Sequence, residues 1–251
     1  YVKQPGLKYQ HAYRQHHSTT TAILRLEEAI HHKTKKHVGL MMIDIKGAFE
    51  TVPLHILYQY IASFSVTLAN LALKYASDRD AMVQIDSDGN LIDAVDLQYL
   101  PGRSVPQGSI CSPVLFSICT GLFTETLMDS LVTDEHTLGN YYIKLVVYAD
   151  DLAFAIFSDT EKLVYMNILE LGVKTENLGA DFGITFAHDK TEVILKTGGL
   201  KFYLFGHFVI SKSIFLWIGF WITLTWNYKL KFTLTRGKMF ALEDTMRTFA
   251  K

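Results

Sequence analysis

The chain has 251 residues, of which 49% are hydrophobic, and this is enough to build the core of one large domain or of a two-lobed unit. Its 24 Lys and Arg residues are matched by 25 Asp and Glu residues, which excludes a protein that binds nucleic acid through bulk positive charge alone. The strongest hydrophobic stretch, residues 214–226, is too short to span a bilayer, and the first residues lack an apolar signal segment. We therefore expect no membrane partner.

Hydrophobic periodicity and turn residues predict an alternation of helices and strands, typical of an α/β or α+β fold. In chain order we expect a helix at 19–36, a strand at 38–45, helices at 55–63 and 67–77, a hairpin within 82–100 that turns at 88–90, a helix at 113–128, a hairpin around 144–157, a helix at 161–182, strands at 191–195 and 202–208, a buried hairpin within 214–226, and a helix from 236 onward. The polar motifs of the chain fall at strand ends and turns of this pattern, where such folds carry their chemistry.

The first of these motifs is an acid at the end of a buried strand. Residues 38–43 form an apolar run that ends at Asp44. Taken alone, Asp44 has two interpretations: a catalytic carboxylate, or a strand-end residue in the loop before the next helix, which Pro53 could open.

The second motif is a glycine-containing loop before an apolar helix. Pro106-Gln107-Gly108-Ser109 has turn chemistry, and Ser112-Pro113 can open the helix that follows. A glycine-flexed backbone before a helix start can approach a ligand closely and present amide donors. The amide of Gln107 is both donor and acceptor and could bind a sugar or a base. The alternative is an ordinary loop-to-helix junction.

The third motif is a pair of adjacent carboxylates, Asp150 and Asp151, between apolar runs at 145–148 and 152–156. This pattern predicts a β-hairpin whose tight connection carries the acids. Two like charges in a buried hairpin repel each other and are costly to desolvate, unless a divalent cation neutralises them. Carboxylate oxygens suit Mg²⁺ or Mn²⁺. An acidic turn that points into water is the alternative.

A strand that places Asp44 beside the Asp150 and Asp151 hairpin would build a cluster of three carboxylates able to hold two metal ions. Such ions, about 3.5–4 Å apart, stabilise the attacking and leaving oxygens of an in-line phosphoryl displacement. The spacing of the acids along the chain therefore favours phosphoryl-transfer chemistry over coincidence.

The order of these motifs resembles the fingers and palm of a reverse transcriptase, specifically of the non-LTR retrotransposon type. The resemblance covers roughly residues 10–222. It is carried by five ordered motifs and a looser sixth, at residues 10–14 with 18–20, 44–49, 105–109 with 112–113, 148–151, 182–184 with 190–191, and 216–222.

This resemblance implies a polymerase palm with an antiparallel sheet backed by helices. Partial fingers would occupy residues 1–37, and the palm residues 38–223 with an inserted fingers segment at about 65–100. Residues 224–251 would begin a thumb.

The implied activity is RNA-directed DNA synthesis for retrotransposition, in which a nucleotide is transferred to a primer 3′-hydroxyl with two Mg²⁺ ions, or with Mn²⁺ in their place. The resemblance assigns Asp44 and Asp150 as the bridging metal ligands and Asp151 as a weaker supporting ligand. It assigns the backbone carbonyl of Ile45 to one of the metal ions.

The resemblance also implies residues that contact the incoming nucleotide. Phe49 falls at the sugar gate, where an aromatic ring would collide with a 2′-hydroxyl, although it could equally be a core residue. Gln107 and Gly108 would contact the nucleotide, and Arg14 would approach its phosphates. Lys190 could protonate the departing pyrophosphate as a general acid, or could be a surface lysine.

The implied partners are an RNA template, a DNA primer, deoxynucleoside triphosphates and other domains of a longer element-encoded polyprotein. Leu216 and Gly219 would grip the primer, and the location would be intracellular, in the nucleus. Three alternatives remain at this point: a degenerate or domesticated palm that binds nucleic acid without catalysis, an RNA-dependent RNA polymerase, and a structural domain whose acids coincide by chance.

Overall fold

The computed structural model describes residues 7–31, 36–77, 84–85, 91–93, 104–106, 108–133, 142–196 and 198–224. In chain order its elements are α1 (Thr19–His31), β1 (His37–Asp44), α2 (Leu54–Ala62), α3 (Val66–Ser77), β2 (Gln84–Ile85), β3 (Leu91–Asp93), α4 (Ser112–Thr133), β4 (Tyr142–Tyr148), β5 (Asp151–Ser158), α5 (Glu161–Phe182), a 3₁₀ turn at His188–Lys190, β6 (Glu192–Ile194), β7 (Lys201–Leu204), β8 (His207–Ile210), β9 (Ile214–Trp217) and β10 (Phe220–Thr223).

The centre of the fold is a four-stranded sheet in the order β4-β5-β1-β6, with every neighbouring pair antiparallel. One face packs on α1 and on the β9–β10 hairpin, and the other packs on α4 and α5. Both faces of the central strands are therefore buried, which is why β1 and β5 are apolar at almost every position instead of alternating with polar residues. The predicted mixed fold with an antiparallel sheet backed by helices is confirmed.

Helix α5 begins and ends where the sequence predicts. The side chain of Thr160 accepts a hydrogen bond from the backbone N–H of Leu163 at 3.2 Å, which caps the first turn. Gly183 ends the helix with a φ of 69°, in the left-handed region that glycine adopts easily. Both ends are thus set by local capping chemistry that the sequence displays.

Helix α4 is longer than predicted and continues to Thr133. Its stretch Ser112–Leu131 is, among the described helices, the one that is long and apolar enough to cross a membrane by length and composition. Half of that window is buried within the fold, where side chains such as Phe116, Phe123 and Leu127 belong to the main core. The burial of these side chains accounts for the composition of the helix.

Two further predictions were wrong in their details. Helix α1 is described as far as His31, and residues 32–35 lie outside the described residues. Residue 36, where the helix was expected to end, is not helical and directly precedes β1, which begins at His37. The single strand expected at 202–208 is instead the hairpin β7–β8, because Phe205 and Gly206 both have positive φ angles, 53° and 75°, as a type I′ turn requires.

The hairpin expected near residues 214–226 is confirmed as β9–β10, with Ile218 and Gly219 in its turn. Strands β2 and β3 pair as expected, and their turn at 88–90 lies outside the described residues. The helix expected from 236 and almost all of the segment assigned to a thumb also lie outside them. The division into fingers, palm and thumb stays a prediction.

Candidate active site

Three carboxylates meet at one end of the central sheet. Asp44 is the last residue of β1 and pairs across the sheet with Asp151, the first residue of β5. Asp150 lies next to them in the two-residue turn between β4 and β5. All three residues line one pocket of about 380 Å³, so the structure brings the predicted carboxylates together, and metal binding by them stays a prediction.

The electrostatics of this cluster reflect crowded negative charge. Burial, followed by the neighbouring charges of Asp150 and Asp44, raises the pKa of Asp151 to about 6. Burial also raises the pKa of Asp150, and Asp44 adds to this effect. A divalent cation would relieve both the desolvation and the repulsion, and oxygen ligands of this kind suit Mg²⁺ or Mn²⁺. The donor set therefore fits such ions.

The three carboxylates are not grouped closely enough, as they stand, to hold a metal ion. Within the part of the chain that the structure describes, no three His, Cys, Asp or Glu side chains lie close enough together to hold one ion. The Oδ2 atom of Asp44 is 2.6 Å from Nζ of Lys190. A cation already neutralises this carboxylate, and it is the ammonium group of a lysine.

Lys190 reaches the cluster from the end of the 3₁₀ turn. The turn is held against β1 because the N–H of Ala187 donates to the carbonyl of Asp44 at 2.8 Å. The Lys190 side chain is 66% exposed, and its hydrogen bond to Asp44 raises its pKa. The predicted position of Lys190 beside the carboxylates is therefore observed, and its role as a general acid stays a prediction.

Ile45 follows Asp44 and is bonded to the turn that carries Asp150. Its N–H donates to the carbonyl of Asp150 at 3.2 Å. In an antiparallel pair the N–H and C=O of one residue face the same neighbour, so the Ile45 carbonyl faces the side of the Asp150 turn. Metal binding by this carbonyl stays a prediction.

The sequence left two interpretations of Phe49 open, a sugar gate and a core residue, and its surroundings agree with both. Its ring is half-buried and packs against Phe116 of α4, with ring centroids 5.4 Å apart. Its carbonyl accepts a hydrogen bond from the N–H of Val105 at 2.8 Å, which brings the start of the glycine-containing loop beside it. Phe49 is not among the residues that line the pocket of the three carboxylates.

The glycine-containing loop is fixed at both ends. Before it, the N–H of Ser104 donates to the carbonyl of Val52 at 3.1 Å. After Gly108, which has a φ of 85°, the hydroxyl of Tyr75 hydrogen-bonds to Ser109. Gln107 lies outside the described residues, so its predicted contact with a nucleotide stays a prediction, as does that of Gly108.

Arg14 is engaged with backbone atoms of its own loop. Its guanidinium donates to the carbonyls of Leu7 and Gln10, the latter at 2.9 Å. Arg14 does not line the pocket of the carboxylates, and its predicted approach to nucleotide phosphates is not tested by this arrangement.

The two residues assigned to the primer grip lie on the β9–β10 hairpin. Leu216 lines the pocket of the carboxylates and is 43% exposed. Gly219 follows Ile218 in the turn and has a φ of 90°. The hairpin stands beside the three carboxylates, and primer binding by it stays a prediction.

Four residues that line the pocket were not predicted as site residues: Met42 and Ile43 at the end of β1, Glu192 and Trp217. Glu192 opens β6 and forms an ion pair with Lys212 at 2.5 Å, and Trp217 ends β9. Glu192 follows Lys190 by two residues, and this spacing was the one signal available for it. Trp217 stands within the looser motif at 216–222, but it was assigned no role there because burial alone explains an apolar residue in that run.

An antiparallel sheet with carboxylates at the ends of two paired strands and in the adjoining turn defines a nucleotidyl-transfer palm. The sequence matches the family model "Reverse transcriptase (RNA-dependent DNA polymerase)" over residues 3–222. The chain belongs to the reverse transcriptase family. Reverse transcriptases generally depend on divalent metal ions and act on an RNA template with a primer.

One curated relative is the "Putative 115 kDa protein in type-1 retrotransposable element R1DM" of Drosophila melanogaster. It is 24% identical over 200 residues, which cover 80% of this chain. The chain spans 18% of the length of that relative. Together with the family match, this relative confirms the predicted resemblance to reverse transcriptases of non-LTR elements.

Solved structures with a similar fold include two structures of telomerase from Candida tropicalis. The apo enzyme truncated from its C-terminal domain has a TM-score of 0.54 at 14% identity, covering 87% of this chain and 40% of that one. The complex with a TWJ fragment of telomeric RNA has a TM-score of 0.57 at 14% identity, covering 89% and 34%. At this identity the likeness concerns the fold alone.

Proposed function

We propose that this chain carries the active site of an RNA-directed DNA polymerase that adds deoxynucleotides to a primer 3′-hydroxyl. The proposal depends on one observation: Asp44, Asp150 and Asp151, which are distant in sequence, line one pocket at the end of a palm sheet. Membership of the reverse transcriptase family supports the same reaction.

Asp44 and Asp150 would hold two Mg²⁺ ions, or Mn²⁺, with Asp151 and the Ile45 carbonyl as further ligands. The bound ions would supply Lewis-acid stabilisation of the charge that develops on the transferred phosphoryl group. Lys190 would have to leave Asp44 when an ion binds there. Its ammonium group, which an exposed lysine carries at neutral pH, would then be free to donate a proton to pyrophosphate.

Substrate selection would depend on the residues around the glycine-containing loop. Phe49 would exclude ribonucleotides by contact with a 2′-hydroxyl. Gln107, Gly108 and Arg14 would contact the incoming nucleotide.

The RNA template and the DNA primer would lie across the sheet end, with Leu216 and Gly219 of the β9–β10 hairpin against the primer. The greater length and the printed name of the relative support other domains of a longer element-encoded polyprotein and a part in retrotransposition. A nuclear location also belongs to this proposal and follows from the family resemblance alone. Residues 1–37 would then belong to the fingers, 38–223 to the palm with its inserted segment, and 224–251 to the thumb.

Substitution of Asp150 by Asn separates catalysis from binding. Asn keeps the size and the hydrogen-bonding capacity of the side chain but removes the charge that holds metal ions. We expect Mg²⁺-dependent extension of a DNA primer on an RNA template to fall by about 1,000-fold or more. The dissociation constant for the primer–template should stay within about threefold at fixed salt, since backbone contacts elsewhere determine it.

Asp181→Asn is the matched control, because Asp181 is exposed on α5 and should leave both quantities unchanged. Extension by Asp150→Asn at near the wild-type rate would refute the assigned role. The assay uses this chain and a longer protein that carries it. Tight primer–template binding by the wild type without extension, in Mg²⁺ and in Mn²⁺, would instead identify a palm that binds nucleic acid without catalysis.

A further inference from the structure

Gln10 is a buried polar residue whose side chain contacts the turn that carries Asp150. It is 1% exposed. Its Nε2 donates to the carbonyl of Ala149 at 3.1 Å, and its Oε1 accepts from the N–H of Ala149 at 2.9 Å. Oε1 also accepts from the N–H of Ala12 at 2.9 Å. Only one orientation of the amide satisfies all three hydrogen bonds, so the side chain is fixed.

The backbone at Ala149 is in a conformation that alanine does not favour. Ala149 is the first residue of the two-residue turn between Tyr148 and Asp151, and its φ is 56°. A left-handed conformation costs a residue with a Cβ atom about 1–2 kcal/mol, and turns of this kind usually place glycine there. Something outside the turn must therefore hold it, and Gln10 bonds both polar atoms of this residue.

Gln10 can reach the turn because its own backbone runs along the edge of the sheet. Strand β4 is the edge strand, and the N–H of Val147 donates to the carbonyl of Tyr9 at 2.9 Å. The N–H of His11 donates to the carbonyl of Val147 at 2.8 Å. The Gln10 side chain continues this ladder to Ala149, where the backbone has left the regular strand.

The position of the Asp150 carboxylate depends on this arrangement. The Ala149 peptide directly precedes Asp150, and the Asp150 carbonyl is held on the other side by the N–H of Ile45 at 3.2 Å. A rotation at Ala149 would move the carboxylate even if the Ile45 contact remained. The contact from Gln10 therefore acts on a group that, under the proposed function, binds metal ions.

We propose that Gln10 is a positioning residue for the metal site: it holds Ala149 in its left-handed conformation and so fixes the Asp150 carboxylate. This inference rests on the proposed function. A merely structural Gln10 would instead attach the loop at residues 7–18 to the sheet, with no effect on the carboxylates beyond a loss of overall stability.

The experiment compares four proteins: wild type, Gln10→Ala, Ala149→Gly, and the double variant Gln10→Ala/Ala149→Gly. Loss of a supporting contact typically weakens metal binding or activity by about 10–100-fold. We expect Gln10→Ala to weaken Mn²⁺ binding and to slow primer extension by that factor, with primer–template affinity unchanged. Gln15→Ala is the matched control, since Gln15 is exposed in the same loop.

The double variant gives the decisive readout. Glycine adopts the turn conformation without the strain that alanine bears. If Gln10 acts by holding the turn, Ala149→Gly should restore most of the Mn²⁺ affinity and the extension rate in the Gln10→Ala background. If Gln10 only attaches the loop, glycine at position 149 has no means of restoring either.

The outcomes separate the two proposals. Wild-type Mn²⁺ affinity in Gln10→Ala, or a loss that Ala149→Gly does not rescue, would overturn the role of Gln10 while leaving the polymerase intact. A wild type that neither binds Mn²⁺ nor extends a primer would overturn the proposed function. In every protein, thermal melting shows whether the chain is folded, and amide exchange at Ala149 shows how firmly the turn is held. In Gln10→Ala, faster exchange at this amide is expected because its acceptor is gone.

Discussion

At the scale of single residues, the active site breaks the rules that hold elsewhere in the sheet. Asp44 and Asp151 are direct cross-strand neighbours, a position in which like charges destabilise a sheet. Ala149 has a positive φ, and Lys190 forms an ion pair with one of the three carboxylates, Asp44. Violations of this kind persist where function requires them, and here they are concentrated within one turn and its immediate neighbours.

The sugar gate is testable at this scale. Phe49→Val shortens the side chain while keeping an apolar group against Phe116, and so leaves the packing of α4 largely in place. We expect incorporation of ribonucleotides relative to deoxynucleotides to rise by roughly 10–100-fold, because the clash with the 2′-hydroxyl is relieved. Incorporation of deoxynucleotides should stay close to wild type. Competitive extension with both kinds of nucleotide measures the ratio.

Phe64→Val is the control for this prediction, because Phe64 is 59% exposed and packs edge-on against Tyr60. Its discrimination ratio should equal that of the wild type. An unchanged ratio in Phe49→Val, with activity retained, would show that Phe49 is only a core residue and that another group excludes the ribose.

The carboxylates of the site were predictable from the sequence, as were the positions of Lys190 and Leu216 beside them, whereas the contact from Gln10 was not. Asp44, Asp150 and Asp151 interrupt apolar strands, and an interruption of this kind is visible in one dimension. Gln10 contacts a residue 139 positions away, and its burial is a product of the tertiary fold. Gln10 opens the motif at residues 10–14, but that motif carries no expectation of its burial or of its contact with the turn at Asp150.

At the scale of elements, the site is positioned by close packing between α5 and the segment that follows it. Gly179 of α5 lies against Phe186, and the N–H of Ile184 donates to the carbonyl of Gly179 at 2.7 Å. Phe186 in turn pairs with Ile45, the residue after Asp44. Helix α5 and the segment that carries Asp44 and Ile45 are thus joined through Gly179 and the ring of Phe186.

Gly179→Ala tests this contact. A Cβ atom at this position would lie 2.5 Å from Cε2 of Phe186 and 3.2 Å from the carbonyl oxygen of Ile184. Helix propensity alone favours alanine by about 1 kcal/mol, whereas overpacking costs about 1–3 kcal/mol. Because Phe186 is 4% exposed and confined, we expect overpacking to dominate and the free energy of unfolding in urea to fall.

The control in the same helix is Val173→Ala, since Val173 is 59% exposed and its loss should change the free energy of unfolding by less than about 0.5 kcal/mol. Greater stability of Gly179→Ala than of the wild type would show that Phe186 yields easily. The close contact between Gly179 and Phe186 would then not be what holds the segment with Asp44 and Ile45 against α5.

Elements were predictable where local chemistry defines their ends. Thr160 and Gly183 mark α5 in the sequence, and the observed helix has the predicted bounds. The sequence predicted one strand where the β7–β8 hairpin is found. The turn position that Asn or Gly usually occupies is held by an aromatic residue, Phe205, which does not indicate a turn. The extension of α4 to Thr133 also escaped the sequence, since tertiary burial in the main core stabilises its last turns.

At the scale of the whole molecule, the charge distribution is more informative than the total. The net charge is −1, yet negative charge is concentrated at the one sheet end where the chain would meet polyanionic substrates. Bound cations would reverse the sign of the local field, and a nucleoside triphosphate could then approach. The fold is thus expected to be least stable, and least able to bind substrate, when divalent ions are absent.

This expectation gives the last prediction, which concerns stability without metal ions. Asp151 has a pKa of about 6 in the folded chain, against about 4 when unfolded. A raised carboxyl pKa means that folding is favoured while the group is protonated, so this contribution is present below pH 4 and is lost as pH rises through about 6. The loss is roughly 2–3 kcal/mol. In EDTA at pH 7.5, Asp151→Asn should therefore unfold at a higher urea concentration than the wild type, and its stability should change less between pH 4 and 7.

Millimolar Mg²⁺ should stabilise the wild type more than the variant, because ions bind the folded cluster. Asp181→Asn, on the exposed face of α5, should behave as the wild type in both conditions. Equal Mg²⁺ stabilisation of wild type and Asp151→Asn would mean that the ions bind elsewhere on the chain, and lower stability of Asp151→Asn in EDTA would mean that the charge is favourable where it stands.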